Sequence, residues 1–402
     1  MEREIVSLVA SIALIIVLVR LRVDLGVSMF AGAACLSLVV GKGPVWTAVE
    51  LVRGALESDT LLLLARVATI IALGTLAGRL GYLDRFVSGL RKLIGDNRIV
   101  IALMPAFGGL LPMPGGAMLT APMVQGAASK GSATPEERFF VNYWFRHVWE
   151  YVWPLYPGLV VAAALVDRSM GDLFRANYPL TLAAIAGGVI FVLRKVDAGT
   201  NVRVPGEAGI GWRDLLHGIW PFIVVIGGVL VLNIELVFVV LFVLVVLILL
   251  ERAGPRDLGR ALREGARFQI ITLVLGVGAY KYLLAQAGII EAVPPFFMRL
   301  HMPELLVLCA VPMIVGLITG VTLAFIAVTF PILIPLMGGS DLDTTLVMFA
   351  FASGFVGCLL SPVHLCLVLS REYFHASLGR SFRMLLLPAL TIMAVATALV
   401  LL

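Results

Sequence analysis

The second half of this chain repeats the first at a spacing of 207 to 208 residues. Glu50, Leu51, Arg53 and Glu57 correspond to Asp257, Leu258, Arg260 and Glu264. Gly81 and Asp84, in GYLD, correspond to Gly288 and Glu291, in GIIE. Val100, Pro105 and Gly109 correspond to Val307, Pro312 and Gly316. Further on, Pro154, Tyr156 and Val160 correspond to Pro362, His364 and Val368. In an apolar chain such a repeat constrains the fold. Two copies in opposite membrane orientation give two mirror-related states, with a binding site where they meet.

Apolar the chain is: 60% of its 402 residues are hydrophobic, 14% are charged, and the mean hydropathy is +1.04. A soluble protein of this size needs polar surface that this sequence cannot supply. Many stretches approach the ~20 apolar residues that cross a bilayer, so the chain reads as an all-α polytopic membrane protein. The first apolar run, Ile5–Val19, has no small-residue cleavage site after it and reads as a retained helix. The net charge of +5 arises from basic loops and does not point to nucleic acid. Cys35, Cys309, Cys358 and Cys366 lie in apolar surroundings without metal-type pairing, and read as buried small hydrophobes with no disulfide framework.

Hydropathy divides the chain into a first repeat (1–196), an inter-repeat loop (197–213) and a second repeat (214–402). Each repeat reads as five crossings plus one re-entrant hairpin. The crossings fall at about 4–20, 24–41, 60–80, 140–166 and 177–194, then 217–233, 236–251, 268–287, 343–371 and 384–402. Amphipathic stretches occupy 44–58, 83–93, 255–267 and 290–300. The hairpins span about 98–130 and 303–338. The first breaks at PMPGG (Pro112, Met113, Pro114, Gly115, Gly116) and the second at LITGVT, which contains Thr319, Gly320 and Thr322. Pro removes a donor and Gly relaxes the backbone, so neither tip continues as helix. Non-helical backbone at that depth must be buried or line a watery cavity.

On this topology 21 of the 30 Lys and Arg residues fall on one side and six on the other; Arg66, Arg146 and Lys281 fall within apolar segments. The bias makes the richer side cytoplasmic and places both termini outside the cell membrane. An odd number of crossings per repeat then inverts the second copy.

The densest polar cluster in apolar sequence is NYWFRHVWEYVWPLYPG, residues 142–158. Arg146, His147 and Glu150 share one helical face, and Pro154 and Pro157 should break that helix. Ionisable groups at such depth mark ion or substrate paths. Arg146 is a candidate anion ligand; His147, Glu150 and Asn142 are candidate ion-coupling groups, as is Lys281 in GVGAYKYLLAQAG. An internal Arg146–Glu150 ion pair is the structural alternative. Arg66, nearer its helix end, reads as a snorkelling side chain. In the second half, Ser361 and His364 in SPVH stand beside the matching break at Pro362. The hairpin tips offer backbone N–H groups at half-helix starts, which suit an anion. No phosphate-cradling loop and no His-x-x-x-His or Cys-x-x-Cys pair indicates an enzyme or a metal site.

The segments ALMPAFGGLLPMPGGAMLTAPM (102–123), NYWFRHVWEYVWPLYPG and SPVHLCLVLSREYF (361–374) resemble the prokaryotic membrane family called domain of unknown function 401. That family is grouped with the ion-transporter superfamily of gluconate, citrate, dicarboxylate, arsenite and sodium/proton carriers. The resemblance covers nearly the whole chain. It implies a scaffold plus a moving transport domain, an elevator motion, and a homodimer. Dicarboxylate members carry Ser-Asn-Thr at the hairpin tips; here the tips read Pro-Met-Pro-Gly-Gly and Thr-Gly-Val-Thr, so dicarboxylate specificity does not follow.

Together these features lead to the expectation of a secondary active transporter of a small, carboxylate-like anion, driven by H⁺ or Na⁺ and without a bound cofactor. A cation/proton antiporter that binds no organic solute is the alternative, and an intramembrane enzyme or structural membrane component is a third class. Topology is directly testable. Cysteines introduced at positions 2 and 256 should label from outside and inside respectively; a cytoplasmic label at position 2 overturns the orientation.

Overall fold

The computed structural model describes residues 2–111, 116–128, 131–199 and 208–402, and within them the chain is helical with no strand. The first half holds α1 (Glu2–Arg20), α2 (Leu25–Val40), α3 (Pro44–Ala55), α4 (Ser58–Arg79), α5 (Tyr82–Leu93), α6 (Asn97–Gly109), α7 (Ala117–Ala128), α8 (Pro135–His147), α9 (Pro157–Leu165) and α10 (Met170–Phe191). The second holds α11 (Ala208–Ile226), α12 (Leu236–Leu250), α13 (Pro255–Gly265), α14 (Phe268–Gln286), α15 (Val293–Arg299), α16 (Glu304–Thr319), α17 (Thr322–Leu333), α18 (Thr344–Leu359), α19 (Leu365–Phe374) and α20 (Leu378–Leu401).

Local chemistry sets many of these boundaries. Asp24 accepts a hydrogen bond from the Val27 N–H to start α2, and left-handed Gly41 (φ 103°) ends it. Thr134 and Glu137 form a capping box on α8, with Pro135 at its first position; Ser169 and Asp172 do the same for α10. Gly81 and Gly288, matched in the repeat, both take left-handed backbone, with φ of 75° and 70°. Each turns the chain from a long helix, α4 or α14, into the amphipathic stretch that follows.

The helices assemble into two bodies that cut across the sequence halves. In one, α2 and α3 pack on α14, α4 on α12 and α13, and α5 along α11. Glycines bring these helices close: a Cβ on Gly26 would overlap the α14 backbone at Thr272, and one on Gly265 would overlap the Ala68 carbonyl of α4. In the other body, α6 packs on α8, α16 on α18, α7 on α19, α17 on α9 and α10 on α20. Thus α1–α5 join α11–α14, and α6–α10 join α16–α20. Thinner contacts such as α4 to α9, α5 to α6 and α14 to α17 connect the two bodies.

Among the described residues, five helical stretches are long and apolar enough to cross a membrane unaided, against ten crossings expected from hydropathy. The difference has three sources. Helix α1 is 19 residues long but carries Glu2, Arg3, Glu4 and Arg20 within that length. Helices α2 and α12 are apolar but only 16 and 15 residues long. At a rise of about 1.5 Å per residue they fall short of a ~30 Å hydrocarbon core. The segments expected near 140–166 and 343–371 are each two helices with a gap.

Arg66 has a defined partner: it grips Glu235, at the start of α12, with Nε to Oε1 at 2.7 Å and Nη2 to Oε2 at 2.9 Å. The fork geometry joins α4 to α12. The pair is partly exposed, with side chains at 23% and 34%, which moderates its value. A double-mutant cycle of Arg66→Ala and Glu235→Ala in purified protein should give a coupling energy of about 1 kcal/mol; strictly additive losses would mean that the pair holds nothing together.

Candidate functional site

Two helix breaks face each other in the second body. Helix α8 ends at His147, and residues 148–156 form a run of turns before Pro157 opens α9. The break therefore begins well before Pro154. Glu150 N–H donates to the His147 carbonyl at 3.2 Å, Trp153 N–H to the Trp149 carbonyl at 2.9 Å, and Tyr156 N–H to the Trp153 carbonyl at 2.9 Å. Pro157 sits at the first position of α9, where its missing N–H costs nothing. It starts a helix where sequence reasoning had it stop one. Helix α18 ends at Leu359, residues 360–364 turn through Pro362, and α19 begins at Leu365.

Each break is plugged by a helical pair in the same way. Trp153 Nε1–H donates to the Leu110 carbonyl at the end of α6, at 3.0 Å, and Ser361 Oγ–H donates to the Leu317 carbonyl near the end of α16, at 2.7 Å. Donor and acceptor are repeat-related in both. So are the contacts beside them: a Cβ on Gly109 would overlap the Arg146 carbonyl, and one on Gly316 the Gly354 carbonyl. The last carbonyls of a helix lack intrahelical partners, and these side chains supply them. Tyr143 Oη–H likewise donates to the Leu359 carbonyl, ending α18, at 3.0 Å.

The second tip is sharper than the expected break over 317–322. Helix α16 runs on to Thr319, whose hydroxyl donates to the Val315 carbonyl at 2.8 Å. Gly320 then turns left-handed (φ 64°), and Thr322 opens α17. His364 Nδ1 contacts the Gly320 carbonyl at 2.9 Å. Any side chain on Gly320 would meet the backbone of His364 and the hydroxyl of Ser361. Of the first tip, Pro112, Met113, Pro114 and Gly115 lie outside the described residues. Gly116 is described, and a Cβ on it would overlap the Arg146 guanidinium.

The charged cluster lies between these parts. Arg146, His147, Glu150 and His364 are all buried. Glu150 Oε2 accepts from the Thr322 hydroxyl at 3.3 Å, and Oε1 lies 3.8 Å from His147 Nε2. The Tyr156 side chain lies beside both Arg146 and Glu150. Thr322 is the first residue of α17, so the Glu150 carboxylate sits at the positive end of that helix. Cys358 adds its thiol beside Thr322. His147 Nδ1 contacts the Tyr143 carbonyl at 2.6 Å, and the Nε2 atoms of His147 and His364 are 3.3 Å apart. A guanidinium, a carboxylate, two imidazoles and two hydroxyls from α8, both breaks and the second hairpin thus meet in one buried place.

Not every residue expected there takes part. Asn142 works as a knot: its amide accepts from the Thr120 hydroxyl at 2.7 Å and donates to the Ala117 carbonyl at 3.1 Å and the Ser370 hydroxyl at 2.9 Å. It binds α7, α8 and α19 together. Lys281 lies on α14 in the other body, half-buried, and among the described residues no hydrogen bond joins it to the cluster. Sequence reasoning passed over Tyr156, Cys358 and Cys366 as site residues. Tyr156 carried a signal, being the repeat partner of His364; the thiols carried only the two-residue step from His364 to Cys366.

Comparison with known proteins bears on the fold and the family. No curated protein matches the chain. Among solved structures, the crystal structure of the Alcanivorax borkumensis YdaH transporter, described as having an unusual topology, is similar with a TM-score of 0.55. The match covers 88% of this chain and 86% of that one, at 13% identity. The two chains share a polytopic helical fold. The family model described as "Protein of unknown function (DUF401)" matches residues 4–402, and the chain belongs to that family.

Proposed function

We propose that this chain is a secondary active transporter of a small, carboxylate-like anion, coupled to H⁺ or Na⁺. The observation that carries the reading is the place of Arg146. Its guanidinium is buried against Gly116, where the first hairpin, both helix breaks and the second hairpin converge. A cation so buried needs anionic company. Glu150 provides part of it, but Glu150 is also engaged by Thr322 and Tyr156. An anion beside Arg146 and a cation beside Glu150 enter as a balanced pair, which links the two fluxes.

Alternating access follows from the layout. The paired docks, Trp153 on Leu110 and Ser361 on Leu317, support reading residues 1–196 and 214–402 as inverted-topology repeats with re-entrant hairpins, joined by the segment 197–213, of which 208–213 already belong to α11 and not to a loop as expected. The split into two helix bodies with thin contacts between them supports an elevator motion. In it α6–α10 with α16–α20 carry the site past a scaffold of α1–α5 with α11–α14, in a homodimer of the cell membrane. The similar solved structure is that of a transporter, and the shared fold supports the same class here.

Proteoliposomes test this. Wild-type protein should accumulate at least one organic anion from a carboxylate and sugar-acid panel under an imposed H⁺ or Na⁺ gradient. Arg146→Gln should cut that uptake roughly 10- to 100-fold, the worth of a lost hydrogen bond to a charged group. Glu150→Gln should leave residual exchange but abolish the response to the gradient. Cation exchange with no anion uptake would favour the antiporter instead. Gly116→Val should weaken anion binding more than it lowers the melting temperature, since its side chain displaces the guanidinium; equal losses in both would reduce Gly116 to a packing residue.

A further inference from the structure

The two histidines of the cluster face each other in an unusual way. His147 Nδ1 lies 2.6 Å from the Tyr143 carbonyl, and His364 Nδ1 lies 2.9 Å from the Gly320 carbonyl. A carbonyl oxygen only accepts, so each Nδ1 carries the hydrogen. In the neutral rings both Nε2 atoms are then bare acceptors, and they point at each other across 3.3 Å. Two lone pairs at that distance repel unless a cation lies between them.

The spacing indicates which cation. A shared proton draws two nitrogens to roughly 2.9 Å. Two imidazole nitrogens on one tetrahedral zinc ion, each about 2.0–2.1 Å from the metal, stand about 3.3 Å apart. The rings meet edge to face, at 73° with centroids 5.1 Å apart, so both nitrogens can converge on one point without stacking. A third ligand is at hand. Cys366 Sγ and one ring nitrogen from each histidine all lie within 4.8 Å of one another, and all three residues are buried. Cys366 follows His364 by two residues in the first turn of α19, and a modest swing of its side chain completes the triad. Metal-bound histidines characteristically donate their other ring N–H to a carbonyl or carboxylate, which fixes tautomer and ring orientation; both histidines here do so. Thiolate and imidazole together suit zinc and its softer neighbours over Mg²⁺, Ca²⁺ or Na⁺.

We propose that His147, His364 and Cys366 form a binding site for one divalent transition-metal ion of the zinc class. The ion staples the end of α8 to the α18–α19 break, and the thiol gives up its proton on binding. Glu150, 3.8 Å from His147 Nε2, stands beside the remaining coordination position and offsets the added charge. The proposal rests on the geometry of three side chains and does not depend on what the chain carries.

The test uses full-length protein in detergent, stripped with chelator and titrated with Co²⁺ as a spectroscopic stand-in and with Zn²⁺ in thermal-shift assays. One Co²⁺ per chain should bind, with visible ligand-field bands and a sulfur-to-cobalt charge-transfer band. Cys366→Ser should remove the charge-transfer band and weaken binding by about tenfold or more, while Cys309→Ser should keep both. Zn²⁺ should raise the melting temperature of the wild type and of Cys309→Ser, and not of Cys366→Ser or His364→Gln. Should His364→Gln fail to fold, the Cys366→Ser spectra alone decide. No stoichiometric binding, or a charge-transfer band that survives Cys366→Ser, overturns the proposal; in the first case the two rings hold a shared proton only.

Discussion

A helix that stops inside an apolar layer leaves carbonyls with no water to bond. The second body of this protein is organised around that debt of hydrogen bonds. It has helix ends at Gly109, His147, Thr319 and Leu359, all in buried surroundings. The partners come from across the fold: Trp153 for Leu110, Ser361 for Leu317, Tyr143 for Leu359, His364 for Gly320. Three of these docks join a hairpin helix to a break, and Tyr143 joins α8 to the end of α18. Removing a donor would orphan a buried carbonyl, at a cost of about 1–3 kcal/mol. The breaks and hairpins are therefore mutually dependent, and the buried charges rest on a frame that satisfies its own backbone.

The two arginine–carboxylate arrangements differ in kind and in burial. Arg66 and Glu235 form a two-pronged fork that closes on itself, which suits a lock between α4 and α12. Arg146 and Glu150 both lie beside Tyr156, while Glu150 also takes a hydroxyl from α17 and stands near an imidazole. Burying charge is expensive, and a simple pair of packed apolar residues serves stability as well or better. A dispersed arrangement contributed by several elements is weakly explained by stability and better explained by a need to exchange partners.

Hydropathy and the repeat made most helices legible, because apolar run length and Pro/Gly punctuation are local signals. The amphipathic stretches were legible for the same reason: in α5, Tyr82, Leu83, Phe86, Val87 and Leu90 form one buried face at helical spacing. What the sequence hid is relational. Thr322 meets Glu150 and His364 meets His147 only after two halves pack, and no local pattern encodes such pairings. Glu235 was unremarkable until α4 placed Arg66 against it. Position 148, not Pro154, opens the first break: Pro154 has no N–H for the Glu150 carbonyl and its ring crowds that turn, and the backbone from His147 onward is bonded in turns instead. Cys366 read as a small hydrophobe because its spacing to His147 exists only in space.

The duplicated frame also explains why one site forms and not two. At the repeat spacing, Arg146 corresponds to Gly354, His147 to Phe355, Glu150 to Cys358, Trp153 to Ser361 and Tyr156 to His364. The frame residues keep their roles, as Trp153 and Ser361 cap matching carbonyls. The charged residues do not recur. Gly354 is packed so closely under the Phe325 ring that any side chain there would overlap it, which excludes a second arginine. A second guanidinium and carboxylate would add two more desolvated charges to one small volume, with like charges near each other. Instead the second copy supplies an imidazole, thiols, hydroxyls and a helix N-terminus turned toward the charges of the first. Symmetry in the backbone builds the enclosure, and asymmetry in the side chains leaves a single polar centre inside it.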